Sequence, residues 1–171
     1  GLVEDVNALL SFDSLVVAGV NGSWSGSAVR AWDGANWSDL GFNLAYESRV
    51  YALATFNGDL IAAGAFSSDY DGGLHGIARW DGIAWQPVGA DDALSLPSGT
   101  PTVRALAVHR GQLVVGGRFR LQGSAGATDL AAWDGTQWAG IESGVGSLNN
   151  ENDEVRSLCS WNTSLVVGGS F

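Results

Sequence analysis

This sequence predicts an all-β fold, on three observations. One motif recurs along the chain: Val-x-Ala-Leu, a polar turn, an apolar run ending in glycine, and a Trp-Asp-Gly-x-x-Trp unit. Glycine is abundant at 25 residues and proline scarce at 3, the balance of many short strands and tight turns, because glycine takes the positive φ that hairpins need. No segment keeps the helical apolar period of about 3.6 residues through successive turns, so helix is predicted nowhere.

The elements follow in order. A first strand, a, is marked by Val6-Ala8-Leu9, Val50-Ala52-Leu53, Val103-Ala105-Leu106 and Val155-Ser157-Leu158. The second, b, runs from Leu15 to Gly19, Leu60 to Gly64, Leu113 to Gly117 and Leu165 to Gly169, apolar on both faces as in a strand covered on both sides. Strand c ends at Trp32, Trp80 or Trp133, and strand d contains Trp37, Trp85 or Trp138; the last copy stops at Phe171. From valine to valine the copies are 44, 53 and 52 residues apart, the period of a four-stranded β-propeller blade. The expected division is a blade over 1–49, a second over 50–102, a third over 103–154, and strands a and b of a fourth over 155–171. Such an array of about three and a half blades is expected to be part of a larger propeller or assembly, since closed propellers have about four to eight blades.

Length variation supports this layout. Tryptophan to tryptophan is five positions in all three copies that reach it, whereas strand b glycine to strand c tryptophan is 13, 16 and 16, and strand d tryptophan to the next valine is 13, 18 and 17. Variation therefore sits in the b–c and d–a connections, which emerge on one side, while tight hairpins occupy the other. Variable loops on a rigid scaffold are where binding concentrates.

Composition excludes several partners. The net charge is −10 and every basic residue is arginine, so phosphate backbones and anionic membranes are repelled. No apolar run has the roughly 20 residues needed to span a bilayer. The chain opens with Gly1 and holds no methionine, which fits a processed chain or an excised fragment. Cys159 is the single cysteine, so no internal disulfide forms. Asn-x-Ser sequons at Asn21, Asn36 and Asn162 become glycosylation sites on a secretory route. The lysine-free, acidic, tryptophan-rich composition points to an extracellular or cell-surface location.

The run Leu-Val-Val-Gly-Gly-x-Phe (Leu113 to Phe119, Leu165 to Phe171) followed by Ala-x-Trp-Asp-Gly-x-x-Trp resembles kelch-like repeats of the galactose-oxidase superfamily. It is closest to those of secreted bacterial proteins and fungal cortical polarity markers. The resemblance spans the chain and implies the propeller fold, with departures: Ala-Gly replaces Gly-Gly in the first two copies, and the aromatic pair is Trp/Trp. It implies no single function, because such propellers host enzymes, lectins and scaffolds. The copper oxidases of that superfamily use a tyrosine cross-linked to cysteine with histidine ligands, a set that Cys159, His75 and His109 do not supply.

Candidate residues fall into three groups. Trp32, Trp37, Trp80, Trp85, Trp133 and Trp138 read as cross-strand aromatic pairs, with Asp33, Asp81 and Asp134 capping the c–d turn before a positive-φ glycine. The functional alternative is a platform on which sugar rings stack. Twelve of the 18 acids fall on the long-loop side: Glu4, Asp5, Glu47, Asp69, Asp71, Asp91, Asp92, Asp129, Glu142, Glu151, Asp153 and Glu154. Among them Asp69, Asp71, Asp91, Asp92, Glu151, Asp153 and Glu154 are the candidate ligand-binding residues. Asp69-x-Asp71-Gly72 begins like an EF-hand loop, yet its twelfth position is Trp80; calcium on Asp69 and Asp71, or on Glu151, Asp153 and Glu154, is the one cofactor the composition admits. His75, expected in a b–c loop, and His109, at the a–b end of a strand, should lie on opposite sides and share no metal or triad. Cys159 stands where Ala54 and Ala107 stand and reads as a small core residue. The expected function is therefore a non-catalytic extracellular scaffold or adhesion propeller. A carbohydrate-binding propeller that needs calcium is the alternative, and a glycoside hydrolase the third reading. The expected partners are other copies or the remainder of a longer chain, and a cell-surface protein or glycan.

Overall fold

The computed structural model describes residues 4–22, 27–42, 48–68, 73–90, 93–123, 127–141, 145 and 153–171. Every element among them is a β-strand: β1 Val6–Phe12, β2 Leu15–Val20, β3 Val29–Trp32, β4 Trp37–Asp39, β5 Arg49–Phe56, β6 Asp59–Ser68, β7 Leu74–Trp80, β8 Trp85–Gln86, β9 Leu94–Ser95, β10 Thr102–His109, β11 Gln112–Leu121, β12 Thr128–Trp133, β13 Trp138–Gly140, β14 Glu154–Trp161 and β15 Ser164–Ser170. All pairings are antiparallel. β1 to β4 form a four-stranded sheet in chain order, and β14 pairs with β15. β5 to β8 and β10 to β13 also pair consecutively, but Ala65 of β6 faces both Arg49 of β5 and Thr102 of β10. The second and third motif copies therefore run into one partly curled nine-stranded sheet rather than two separate ones. β6 continues past Gly64, and Ala65 in this continuation makes the bridge to Thr102. β9 is a further element that sequence patterning does not announce: part of the d–a connection lies along the end of β11, with Leu94 buried.

Turn chemistry closes each hairpin. Asp13, Asn57, Arg110 and Asn162 open the first turn of the four units with left-handed φ of 52°, 52°, 50° and 54°. In the c–d turn Asp81 Oδ1 accepts from the N–H of Ile83 and Ala84, both at 2.9 Å, and Gly82 takes φ +97°. Asp33 and Asp134 repeat this on Ala35, Asn36, Thr136 and Gln137.

In every unit the register of the first strand slips at the residue after the motif valine: Asn7, Tyr51, Arg104 and Arg156 are bulged. The bulge explains the glycines opposite. A Cβ on Gly64, Gly117 or Gly169 would fall on the carbonyl oxygen of Arg49, Thr102 or Glu154. A Cβ on Gly19 would stand 2.6 Å from Val50 Cγ1, so this glycine is the seat for the valine of the next unit. By register Gly19 corresponds to Ala63 and not to Gly64, so the apolar run of the first copy is one residue out of step with the others.

Three apolar clusters lie between successive units. Val17, Val29 and Phe42 meet Val50, Leu60, Ala62 and Trp85; Phe56, Ile61 and Ala63 meet Val103, Leu113 and Val115; Val114 and Leu130 meet Leu158, Leu165 and Val167. Adjacent residues of one strand, such as Leu60 and Ile61, thus serve opposite neighbours. Cys159 corrects the sequence reading: it is exposed, because the face of β14–β15 turned away from the third unit carries no covering layer among the described residues. Its counterparts Ala54 and Ala107 are partly buried.

Candidate functional site

The bulges place the same position of each copy in a row at one edge of the molecule. Asn7 Nδ2 donates to Asn21 Oδ1 at 2.9 Å and to the Val50 carbonyl at 3.2 Å, and Asn21 Nδ2 reaches Asp5 Oδ2 at 3.2 Å. Farther along, the Arg104 guanidinium sits 4.5 Å above the centre of the Tyr51 ring. Arg104 Nε donates to Glu154 Oε1 at 2.6 Å, and Arg156 Nε approaches Glu154 Oε2 at 3.4 Å. The result is a polar row that crosses every joint between units. Burial pulls the Arg104 pKa down, but the hydrogen bond and charge of Glu154, with a smaller part from Tyr51, outweigh it and hold the pKa above its ordinary value.

Beside this row stands Asp129, buried, at φ +65°. Its Oδ1 accepts the Phe119 N–H at 3.1 Å. Burial lifts its pKa to about 6 against that hydrogen bond, with Asp153 and Glu154 adding to the rise and Arg118 opposing it. A non-glycine residue in the left-handed region, holding a strongly shifted carboxyl, is the type of feature that gathers at functional sites.

The loop acids separate accordingly. Asp69, Asp71, Asp91, Asp92 and Glu151 lie outside the described residues. Asp153 and Glu154 do come together, but not as free loop carboxylates: Asp153 is buried and Glu154 begins β14 and is salt-bridged. Asp129, expected in a loop, belongs to β12, and Glu4 pairs with Arg30 at 2.9 Å. Among the described residues no group of three His, Cys, Asp or Glu side chains could hold a metal ion.

His75 is in strand β7 rather than a loop, 3.0 Å from Ser67 Oγ, and His109 closes β10 against Ser160 Oγ at 2.9 Å. The antiparallel order puts them at opposite edges. The sequons differ in access: Asn36 and Asn162 are exposed in tight turns, whereas the Asn21 amide is held by Asp5.

The tryptophans pair across β3–β4, β7–β8 and β12–β13 at 5.6, 5.5 and 5.3 Å between ring centres. In the second and third units the second tryptophan also reaches back: Trp85 Nε1 donates to the Leu40 carbonyl at 2.9 Å and Trp138 Nε1 to the Val88 carbonyl at 2.7 Å. Each staples its unit to the previous one. Two clefts flank these staples, one of about 440 Å³ lined by Asp39, Trp80, Ile83 and Trp85, the other of about 420 Å³ lined by Asp59, Arg79 and Trp133.

The polar row escapes a reading of the sequence that treats the x of Val-x-Ala as filler. Its signal is a polar or aromatic side chain inserted in an otherwise apolar strand, at the one motif position that changes between Asn, Tyr and Arg. Neither a protein-family model nor a curated protein matches this chain.

Proposed function

We propose that the chain is a non-catalytic, kelch-like β-propeller segment of four-stranded blades, acting outside the cell as a scaffold or adhesion module. The observation that carries this reading is the use made of its conspicuous side chains. The tryptophan indoles staple neighbouring units, Asp33, Asp81 and Asp134 cap turns, and Glu4, Asp59 and Glu154 are salt-bridged to arginines. These groups hold a rigid frame, and the acidic loops between b and c and between d and a are left to meet a partner. A net charge of −10 favours a basic protein surface on that side. Exposed Asn36 and Asn162 suit a glycosylated, secreted chain.

The tryptophan clefts favour a second reading, carbohydrate binding. An indole face stacks on the apolar side of a sugar ring while Asp39 or Asp59 accepts its hydroxyls. Calcium, if used, falls to Asp69 and Asp71. A glycan array with and without chelator separates the two readings. The scaffold reading expects no saccharide retained above background, with salt-sensitive capture of basic proteins; a retained saccharide establishes the lectin reading. Release of sugar from a polysaccharide panel overturns both in favour of a hydrolase.

A further inference from the structure

Two successive joints hold the same cleft but furnish it differently. The cleft of about 440 Å³ lies between the first and second units, and that of about 420 Å³ between the second and third. Leu40 and Gly41 in one correspond to Val88 and Gly89 in the other. Each carbonyl accepts the indole N–H of the following unit, and the glycines take φ of +71° and +82°. Trp80 and Trp133 are the matching aromatic walls. At the second joint the chain itself sets an arginine beside that wall: Arg79 lines the cleft, and its Nη1 donates to Asp59 Oδ2 at 2.9 Å. By register the counterparts of Arg79 and Asp59 at the first joint are Ala31 and Leu15, which make no such pair.

The first cleft nevertheless has a carboxylate. Asp39 Oδ1 accepts the Gly41 N–H at 2.7 Å and Oδ2 the Ser27 N–H at 3.2 Å, so backbone bonds fix it on the wall. Arg30 stands 3.8 Å away but is held at 2.9 Å by Glu4, and the Asp39 side chain keeps 40% exposure. On the same cleft Ile83 is 88% exposed, at the turn position that Ala35 and Thr136 take in other copies. The turn uses only the backbone N–H of this residue, so its geometry does not call for an isoleucine.

We propose that the first cleft binds an arginine side chain of a partner protein. The occupant follows from the neighbouring joint, where an arginine paired to a carboxylate stands beside the corresponding tryptophan. The partly exposed Trp80 indole stacks on the guanidinium, and Asp39 accepts its N–H groups in a charge-assisted pair. Leu40 and Ile83 cover the methylene stem. Charge agrees: Asp81, exposed in the same turn as Ile83, adds to the negative potential, and the chain carries a net charge of −10 with no lysine. The cleft opens beside a c–d turn, so it adds a second contact to the acidic loops proposed above. It rests on the scaffold reading for the class of partner.

The test is a magnetic-resonance titration of the isotope-labelled 171-residue chain, followed through the indole N–H signals of Trp80 and Trp85. The probe is the capped peptide acetyl-Gly-Arg-Gly-amide, beside its citrulline analogue, in which an uncharged urea of the same shape replaces the guanidinium. The arginine peptide is expected to move both signals, and the citrulline peptide to bind about tenfold more weakly. Ile83→Ala, at an exposed site, is expected to weaken the arginine peptide about fivefold with the fold intact. Asp39→Asn is expected to weaken it about tenfold; should that variant unfold, the citrulline comparison tests the same charge from the ligand side. Equal binding of the two peptides, no movement with either, or binding that Ile83→Ala leaves unaltered overturns the site. Maltose moving the same two signals also overturns it, and places a sugar in the cleft instead. Capture of basic proteins that persists while the arginine peptide fails to bind removes this cleft alone and leaves the loop-based scaffold reading standing.

Discussion

At the scale of single residues, two sets of carboxylates respond to pH with opposite sign. Asp134 is held at a pKa of about 2, chiefly by the Gln137 N–H and then by Thr136; Asp33 and Asp81 are lowered by the same turn geometry. Their contribution to stability is present above the unfolded value of 3.8 and is lost as pH falls below it. Asp129 runs the other way. Its folded pKa of about 6 lies above 3.8, so the native state holds the proton more tightly and stability declines as pH rises between those values. Asp129→Asn keeps an oxygen for the Phe119 N–H, and asparagine tolerates the left-handed backbone. The melting temperature of this variant relative to wild type is therefore expected to climb between about pH 4 and 6 and to level off above. A difference that stays flat across that window refutes the assignment. The turn aspartates were legible in the sequence because their chemistry is local, confined to four residues of one motif. Asp129 was not, since its burial depends on the packing of β11 and β12 and on the neighbouring Asp153.

At the scale of elements, the second tryptophans of the second and third units, Trp85 and Trp138, join each of these units to the one before. Trp85 is 8% exposed, with its ring 4.3 Å from Phe42, whereas Ile83 in the adjoining turn is 88% exposed. Trp85→Ala is expected to cost about 3–5 kcal/mol in thermal or denaturant unfolding, against roughly 0.5 kcal/mol for Ile83→Ala. Trp85→Phe isolates the indole bond to Leu40 and is expected to cost on the order of 1 kcal/mol beyond the lost ring area. Equal effects at positions 83 and 85 would refute the staple. Aromatic pairing across the hairpin was readable from fixed spacing, yet the reach to Leu40 and Val88 was not, because the acceptors are backbone carbonyls that any residue supplies. The bulges have a parallel test. Gly117→Ala sets a Cβ on the Thr102 carbonyl and is expected to destabilise by more than about 1 kcal/mol; an unchanged melting temperature would mean that β10 can straighten there. Doubled glycines were legible as strand ends, while the slipped register opposite them shows only in the pairing of two strands.

At the scale of the molecule, each unit packs only on its neighbours, so protection should grade from the middle outward. Leu60 to Gly64 of β6 and Leu113 to Gly117 of β11 are buried throughout, because the units on either side cover both faces. β1 and β15 have one such neighbour each, and most of their residues are exposed or half-buried. The order of the strands was readable from the motif period. The inequality among copies was not, since the four sequences are nearly alike and differ mainly in what lies against them. Native-state hydrogen exchange at low protein concentration should find the amides of β6 and β11 opening only with global unfolding, and those of β15 exchanging first, with β1 next. β14 is expected between these limits, because Val155 is buried on Gly116 while Ser160 and Trp161 at its far end are exposed. Protection that is uniform along the chain would contradict nearest-neighbour packing.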